Sequence, residues 1–397
     1  MRRLQPSPHL TICLMGFSMT ASNSVVVPIL SIYVKDAMGA SVEMVGLVTA
    51  AFFIASALTK APVGLFIGGK RTFPLLMAAS LIFALCPAFY PLVGSVGMLI
   101  LLRSARGFTY TVIGATALLM AGLTLPSAER DRGFGTYTAS LSLGLLAGPA
   151  ITAFSIPIFG ISNTFYFASV LGLVGVFAAV FLYVKVSSIE GSWQIIGVAV
   201  EREGLRSKVS NVARNGRFQV ALVGNFAFFL IMGAISAYAP LHARENLGFS
   251  DGAVPMLFLL YYVATTATRF SMVRMAGRAS RSTLVILSTG SAAMLSLALS
   301  AVRGGLAFAA ILALIGAVQG VIIPAGSMLI AESIQPSRRA LANSLYLMGL
   351  DVGQGMAPLI TAEAAARHGL GYSFMIPAAV SAGATLAILW LSRRSSR

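Results

Sequence analysis

The sequence predicts an all-α integral membrane protein in which twelve transmembrane helices form two six-helix pseudo-repeats. Three observations lead to this expectation. The first is composition: 57% of the 397 residues are hydrophobic and 10% are charged, whereas a soluble globular protein carries about 25% charged residues. The second is a series of long apolar runs. The third is a match in order and spacing between two parts of the chain.

The apolar runs are long enough to cross a bilayer, because a transmembrane helix needs about 20 mainly apolar residues. The predicted spans lie near 10–33, 43–66, 72–91, 97–122, 134–156, 163–184, 217–239, 252–272, 282–301, 305–330, 340–361 and 372–392. The first run follows a basic start but is too long for a signal peptide, so we expect it to be a span.

The net charge of +16 is divided between the two sides of the membrane and forms no single patch. With the N-terminus in the cytoplasm, about 20 Lys and Arg residues fall on the inner side, as the positive-inside rule requires. The outer side receives Lys35, Arg244, Arg303 and Arg367. We therefore expect a multi-pass protein of the plasma or inner membrane with both termini in the cytoplasm. Anionic membrane lipids are the expected partners of the basic side, and no nucleic acid is expected to bind.

The sequence contains no pattern typical of a metal site, a disulfide framework or an enzyme active site. Cys13 and Cys86 both lie in predicted spans, and His9, His242 and His368 lie near membrane edges. One buried acid without a buried histidine does not supply a nucleophile with its base. We expect no enzymatic activity, no metal, no cofactor and a monomeric chain.

Two halves of the chain, residues 1–184 and 217–397, flank a polar segment at 185–216 that is predicted to be a cytoplasmic loop. Gly107 matches Gly320, Pro126 matches Pro336, Gly144 matches Gly353, and Pro149 matches Pro358. The order and spacing of these matches indicate a duplicated unit. Repeated halves imply a substrate site near the membrane midplane and a rocking motion of one half against the other.

Three motifs in the first half point to one known family. They are GLLAGP (Gly144 to Pro149) in the fifth span, RSARG (Arg103 to Gly107) in the fourth, and NSVVVPILSIY (Asn23 to Tyr33) in the first. Together they resemble the exporter motif, the arginine motif and the helix-one proline pattern of twelve-helix drug/proton antiporters of the major facilitator superfamily. The resemblance covers nearly the whole chain. It implies the major facilitator fold and proton-coupled export of a small organic molecule by alternating access.

The family's motif between helices two and three is incomplete in this sequence. GLFIGGKRT keeps Gly64, Lys70 and Arg71, which the resemblance assigns to the inner gate, but Gly68 stands where the family has an aspartate. The usual charge network of that gate is therefore not expected in full. This departure leaves two alternatives open: an uptake carrier for an anionic metabolite, or a lipid flippase.

The glycines of GLLAGP have a second interpretation besides the exporter motif. Gly144 and Gly148 are four residues apart, so they share one helix face and let a neighbouring helix approach. Pro149 permits a kink when neighbouring groups satisfy the freed carbonyl. The resemblance implies that this face, with Gly353 and Pro358 as its counterparts, packs between the halves and serves gating. Ordinary small-residue packing is the alternative.

Ionisable residues at membrane depth are costly and indicate functional sites. Lys60, Arg103, Arg106, Arg269 and Asp351 form this set. The resemblance ties Arg103 to proton coupling. Asp351 is the only acid of the set and lies about 18 Å into its helix at 1.5 Å per residue, so we assign it to proton coupling with Arg103. A structural contact with an arginine or with the backbone is the alternative role for Asp351. Lys60 and Arg269 are expected to extend to the cytoplasmic surface.

The buried charges are mainly positive, which favours a neutral or anionic substrate over a cationic one. The predicted substrate-binding residues are the following polar and aromatic groups in spans: Arg106, Asn23, Tyr110, Asn225, Tyr261, Tyr346 and Gln354. Packing between helices and hydrogen bonding between helices are the alternative roles for each of them.

Overall fold

The computed structural model describes residues 8–67, 71–123, 129–187, 205–275 and 279–394. The helices are α1 (Pro8–Asp36), α2 (Val42–Phe66), α3 (Thr72–Phe89), α4 (Val96–Leu123), α5 (Arg130–Ser187), α6 (Leu205–Ala213), α7 (Gly216–Glu245), α8 (Val254–Met275), α9 (Arg281–Ala301), α10 (Gly305–Ser333), α11 (Arg339–His368) and α12 (Met375–Arg394). Most of the predicted central loop, together with Gly68, Lys70 and Pro126, lies outside the described residues.

Helix α5 contains two membrane spans, because its backbone leaves helical geometry at Gly160, where φ is 78° and ψ is 169°. Glycine adopts positive φ without the steric cost that a Cβ atom imposes. The segments on either side, 130–159 and 161–187, are called α5a and α5b. With α1–α4 and α7–α12 they give twelve spans at the positions that the apolar runs predict, so the predicted fold class is confirmed.

Length and composition alone identify fewer spans. Within the described ranges nine helices are long and apolar enough to cross a membrane, and the whole of α5 counts as one of them. The two that fall below this criterion are α8 and α11, which carry Arg269 and Asp351. Each of these two ionisable residues therefore lies on one of the two least apolar spans.

Helix packing follows the same order in the two sets of six spans. In the first set α1 packs along α5 and α2 along α4, and in the second α7 packs along α11 and α8 along α10. The main contacts between the sets are α2 with α11 and α5 with α8. Because α2 corresponds to α8 and α5 corresponds to α11, these two contacts are equivalent in the repeat. Helices α7 and α1 are the most enclosed, with 83% and 72% of their most apolar windows buried, so they lie at the centre.

We call the end of the bundle where α1 begins the inner end, because the charge distribution predicts that it faces the cytoplasm. The end where α1 stops at Asp36 and α7 stops at Glu245 is the outer end.

Candidate functional site

An ion pair joins the two halves inside the membrane. The ammonium Nζ of Lys60 on α2 lies 2.5 Å from Oδ2 of Asp351 on α11, and it also donates to the carbonyl of Leu347 at 3.0 Å. The side chain of Lys60 is 18% exposed and that of Asp351 is 5% exposed. The expectation that Lys60 extends to the cytoplasmic surface is therefore wrong, because its charge is directed at a carboxylate of the other half.

The same carboxylate is connected to α4 through two hydroxyl groups. Ser56 donates its hydroxyl to Asp351 Oδ2 at 2.5 Å, and its oxygen lies 2.7 Å from the hydroxyl of Thr111 on α4. Sequence reasoning missed Ser56 and Thr111. One available signal was the spacing of Ser56 and Lys60, since residues four apart share one helix face.

A second polar contact between the halves is related to the first by the repeat. Arg269 on α8 donates from Nη1 to the hydroxyl of Ser142 on α5a at 2.9 Å. Ser142 and Asp351 each lie twelve residues after the first residue of their helix, and Lys60 and Arg269 each lie six residues before the end of theirs. Arg269 therefore does not extend to the surface either. One contact holds two opposite charges, and the other holds one charge and a neutral acceptor.

Two buried arginines occupy α4. Arg106 is fully buried, and its Nη2 donates to the carbonyl and the hydroxyl of Ser22 at 2.9 and 2.7 Å. Its guanidinium lies 4.6 Å from the centroid of the Phe83 ring, and that of Arg103 lies 4.8 Å from the Phe52 centroid. Cation–π contacts of this kind stabilise a cation only in part.

The arginine pair keeps hydrogen-bonding capacity that the described residues do not use. Nη1 of Arg103, and Nε and Nη1 of Arg106, are buried without a hydrogen-bond partner. Neither guanidinium forms an ion pair within the described part of the chain, and the expected partner of Arg103, Asp351, is paired with Lys60 instead. Tyr110 packs against both Phe52 and Phe83, so the three rings form one aromatic wall. The guanidinium groups of Arg103 and Arg106 lie against this wall.

The hydrogen bonds of Asn225, Tyr261 and Tyr346, three predicted binding residues of the second half, go to other groups of that half. The Tyr261 hydroxyl donates to the amide oxygen of Gln319 and contacts Met232 Sδ at 3.0 Å. Asn225 donates to the carbonyl of Tyr346 at 2.9 Å. These contacts bring Asn225 and Tyr346 together.

Tyr346 already has partners for its hydroxyl, which reaches the carbonyls of Ile322 and Ile323 on α10 at 3.2 and 3.3 Å. These contacts fit a packing role, because the buried hydroxyl is satisfied by backbone. Asn23 and Gln354 are both half-buried, on α1 and α11 respectively.

The glycines of the exporter motif pack within the first half. A Cβ atom at Gly144 or Gly148 would overlap α1 at Thr20 and Ser24, and the Ser24 hydroxyl donates to the Gly144 carbonyl at 3.0 Å. The implied packing of these two glycines between the halves is therefore wrong. Their partner is α1, which packs along α5 in the first six spans.

In the second half, Gly353 packs in the corresponding way, against Phe226 and Leu230 of α7. Glycines that do bring the halves together include Gly355, whose Cβ position lies 2.8 Å from a side-chain carbon of Ile54 on α2, and Gly46 on α2, whose Cβ position lies 2.9 Å from the carbonyl oxygen of Pro358. Sequence reasoning missed both. Pro149 and Pro358 both lie inside their helices.

The predicted inner gate is described only in part. Gly64 lies in the last turn of α2, and Arg71 is exposed just before α3, while Lys70 lies outside the described residues.

At the outer end, ion pairs join α1 to α7. Lys35 contacts Glu245 at 2.7 Å, and Arg244 contacts both Asp36 and, at 3.0 Å, Asp251. The two halves therefore touch at the outer end as well as at the Lys60–Asp351 pair.

Comparisons with known proteins agree with this architecture. The sequence model of the Major Facilitator Superfamily matches residues 12–305 and 221–397. Multidrug resistance protein 2 of Bacillus subtilis is 25% identical over 232 residues, which cover 57% of this chain and 55% of that protein. An uncharacterised MFS-type transporter of Methanocaldococcus jannaschii is 24% identical over 225 residues, or 55% of each chain. The chain thus spans just over half the length of the curated relatives it matches.

Solved structures show the same fold over nearly the whole chain. The nucleoside transporter NupG superposes with a TM-score of 0.79 at 13% identity, covering 97% of this chain and all of that one. A peptide transporter of the POT type in complex with alafosfalin gives 0.78 at 12% identity, covering 99% and 96%. The family match spans both halves, and the fold and the helix pairing agree with it. The chain belongs to the Major Facilitator Superfamily and is a multi-pass membrane protein.

Proposed function

We propose that this protein is a secondary transporter that exports a small neutral or anionic organic molecule in exchange for protons. The observation that carries the proposal is the Lys60–Asp351 ion pair, which joins the halves at 2.5 Å inside the membrane. Export is supported by the GLLAGP motif and by the multidrug resistance relative.

Protonation of Asp351 provides the coupling step. A protonated carboxyl carries no charge, so it loses its Coulomb attraction to Lys60, and the α2–α11 contact weakens. Removing one charge from a buried ion pair costs free energy, because the remaining charge is left buried without compensation. Proton binding therefore favours separation of the halves at the inner end, and loss of the proton to the cytoplasm allows the pair to form again.

This step gives antiport when the substrate replaces the proton. With the inner end open and Asp351 deprotonated, substrate enters from the cytoplasm, and re-formation of the ion pair closes that end behind it. The outer ion pairs at Lys35 and Arg244 then break, and the substrate leaves on the outer side. One proton moves inward and one substrate moves outward in the cycle.

The arginine pair sets the substrate class. Burying a charged group is costly unless it is paired and hydrogen-bonded, and Arg103 and Arg106 keep three unpartnered nitrogen atoms between them. A carboxylate or a neutral carbonyl would accept hydrogen bonds from these atoms, whereas a cation would be repelled. We assign Arg106 and Tyr110 to substrate binding. Arg103 is assigned to coupling, because its guanidinium lies against the same aromatic wall beside which the substrate would bind.

The substrate class can be tested on detergent-purified protein with three ten-carbon probes: decanoate, decanol and decyltrimethylammonium. A ligand at 100 times its dissociation constant stabilises the fold by about 2.7 kcal/mol. We expect decanoate or decanol to raise the unfolding temperature, and Arg106→Gln to remove the effect. Stabilisation by the cation alone would contradict the assignment.

The coupling and its direction can be tested in proteoliposomes with an imposed pH gradient and a stabilising probe. The expected result is that the probe moves against the proton flow. Asp351→Asn should abolish this movement and leave downhill exchange intact, whereas Glu363→Gln, an exposed acid on the same helix, should change neither. Movement of the probe together with protons would instead identify the uptake carrier, which the incomplete motif at Gly64–Arg71 keeps as the second candidate.

A further inference from the structure

A cavity separate from the candidate transport site lies in the second half at the inner end. It has a volume of about 540 Å³ and is lined by the starts of α7 and α9 and the ends of α10 and α12. The residues that decide its chemistry are Arg217, Arg281, Glu332, Val220, Ile286 and Leu329. Its size is within the range of small-molecule sites, about 300–1,000 Å³.

The charged wall of the cavity carries an excess positive charge. It holds two guanidinium groups, from Arg217 and Arg281, against one carboxylate, from Glu332. Nε of Arg281 lies 3.3 Å from Glu332, but its Nη1 is buried and has no hydrogen-bond partner among the residues that the structure describes. A planar guanidinium with a free edge is suited to bind a phosphate group, because its N–H donors match two phosphate oxygens.

The start of α9 adds to this preference. This 21-residue helix begins at Arg281, and its cap residue Ser280 also lines the cavity. The N-terminal end of a helix carries a partial positive charge and favours phosphate groups. The arginine edge and the helix end are two independent features that favour an anion in the same cavity.

The apolar side of the cavity indicates what the anion is attached to. Val220, Ile286 and Leu329 line it next to the charged groups. A free inorganic anion would leave these side chains unused, whereas a phospholipid places glycerol and the first acyl carbons beside its phosphate. We propose that this cavity binds the phosphate of an anionic phospholipid headgroup from the inner leaflet, independently of the transport cycle.

The experiment measures lipid affinity by native mass spectrometry of the full-length protein. Phosphatidylglycerol is compared with phosphatidylcholine of identical acyl chains. Both lipids carry the phosphate, but the choline cation of phosphatidylcholine would face the excess positive charge of the cavity, so phosphatidylglycerol should bind at least about tenfold more tightly. Arg281→Gln should remove most of this preference, and Arg217→Gln should reduce it. Arg303→Gln, an exposed arginine at the outer end, is the matched control and should keep it.

Two further outcomes are decisive. Because Arg217 is exposed, its replacement tests the cavity even if Arg281→Gln fails to fold. An unchanged phosphatidylglycerol preference in both variants would overturn the proposal. A separate titration with inorganic phosphate distinguishes the source of the ligand. Binding of phosphate that depends on Arg281, without any lipid preference, would show that the cavity takes a free phosphate and would overturn the lipid assignment.

Discussion

The most direct test of the proposed coupling is a double-mutant cycle on Lys60 and Asp351. Their charged atoms are 2.5 Å apart, and their side chains are 18% and 5% exposed, so they form a buried ion pair. Removing one partner of such a pair costs about 3–5 kcal/mol, because the other charge stays buried without compensation. Asp351→Asn preserves the side-chain volume and can still accept the hydrogen bond from Ser56, so the loss measures mainly the charge.

The double variant Lys60→Met/Asp351→Asn leaves no unpaired charge. Replacing a buried pair by groups of similar volume is often neutral or stabilising, so we expect the double variant to be within about 1 kcal/mol of the wild type. The coupling energy, which is the difference between the double variant and the sum of the single variants, should then be at least about 5 kcal/mol.

The measurement is equilibrium unfolding in detergent micelles, followed by loss of helix content. The control cycle uses Glu363 and Arg367, an ion pair on the same helix whose side chains are 73% and 72% exposed. Solvent screening limits the coupling of such an exposed pair to about 0.5 kcal/mol. A similarly small coupling for Lys60 and Asp351 would refute the argument that protonation of Asp351 releases a strong contact between the halves.

Three further predictions follow from other contacts. Ser142→Asp places a carboxylate opposite Arg269, whose Nη1 now lies 2.9 Å from the Ser142 hydroxyl; the added ion pair should slow transport and make its initial rate depend more steeply on pH. Gly148→Leu should lower the free energy of unfolding by about 3 kcal/mol through overpacking against α1 at Ser24, whereas Gly135→Ala, which meets open space, should change it little. Arg244→Gln removes the contacts with Asp36 and Asp251. Spin labels at Ala37 and Asn246 should then report a longer mean distance across the outer end. The free energy of unfolding should fall by no more than about 1 kcal/mol, because these ion pairs are partly exposed.

The spans could be predicted from the sequence because each is a long apolar run, and the repeat could be predicted because glycines and prolines recur in the same order. The depth of Asp351 was predicted from its position along the helix. Its partner was not, since Lys60, Arg103 and Arg106 are all basic and all within reach of the midplane. Which cation faces the acid depends on the packing of α2 against α11, and a single sequence does not specify that packing.

The family resemblance was informative about the fold and less so about individual contacts. It correctly predicted the architecture, but the motif glycines Gly144 and Gly148 pack on α1, and a glycine outside the motif, Gly355, brings α11 close to α2. A motif glycine indicates that another helix packs closely at that position, but it does not specify which of the neighbouring helices does so. Only the structure shows which neighbour is present.

The repeat explains why a single acid can control the transporter under the proposed mechanism. The pseudo-repeat places two equivalent contacts between the halves, Lys60 with Asp351 and Arg269 with Ser142. If both held a carboxylate, two protons would be needed to weaken the interface, and each ion pair would hold the inner end closed until its own proton arrived. With serine at the second position, the hydrogen bond from Arg269 is present in every protonation state and only aligns the halves. The change in charge is then confined to Asp351, so one proton is sufficient to change the balance between the closed and open inner end.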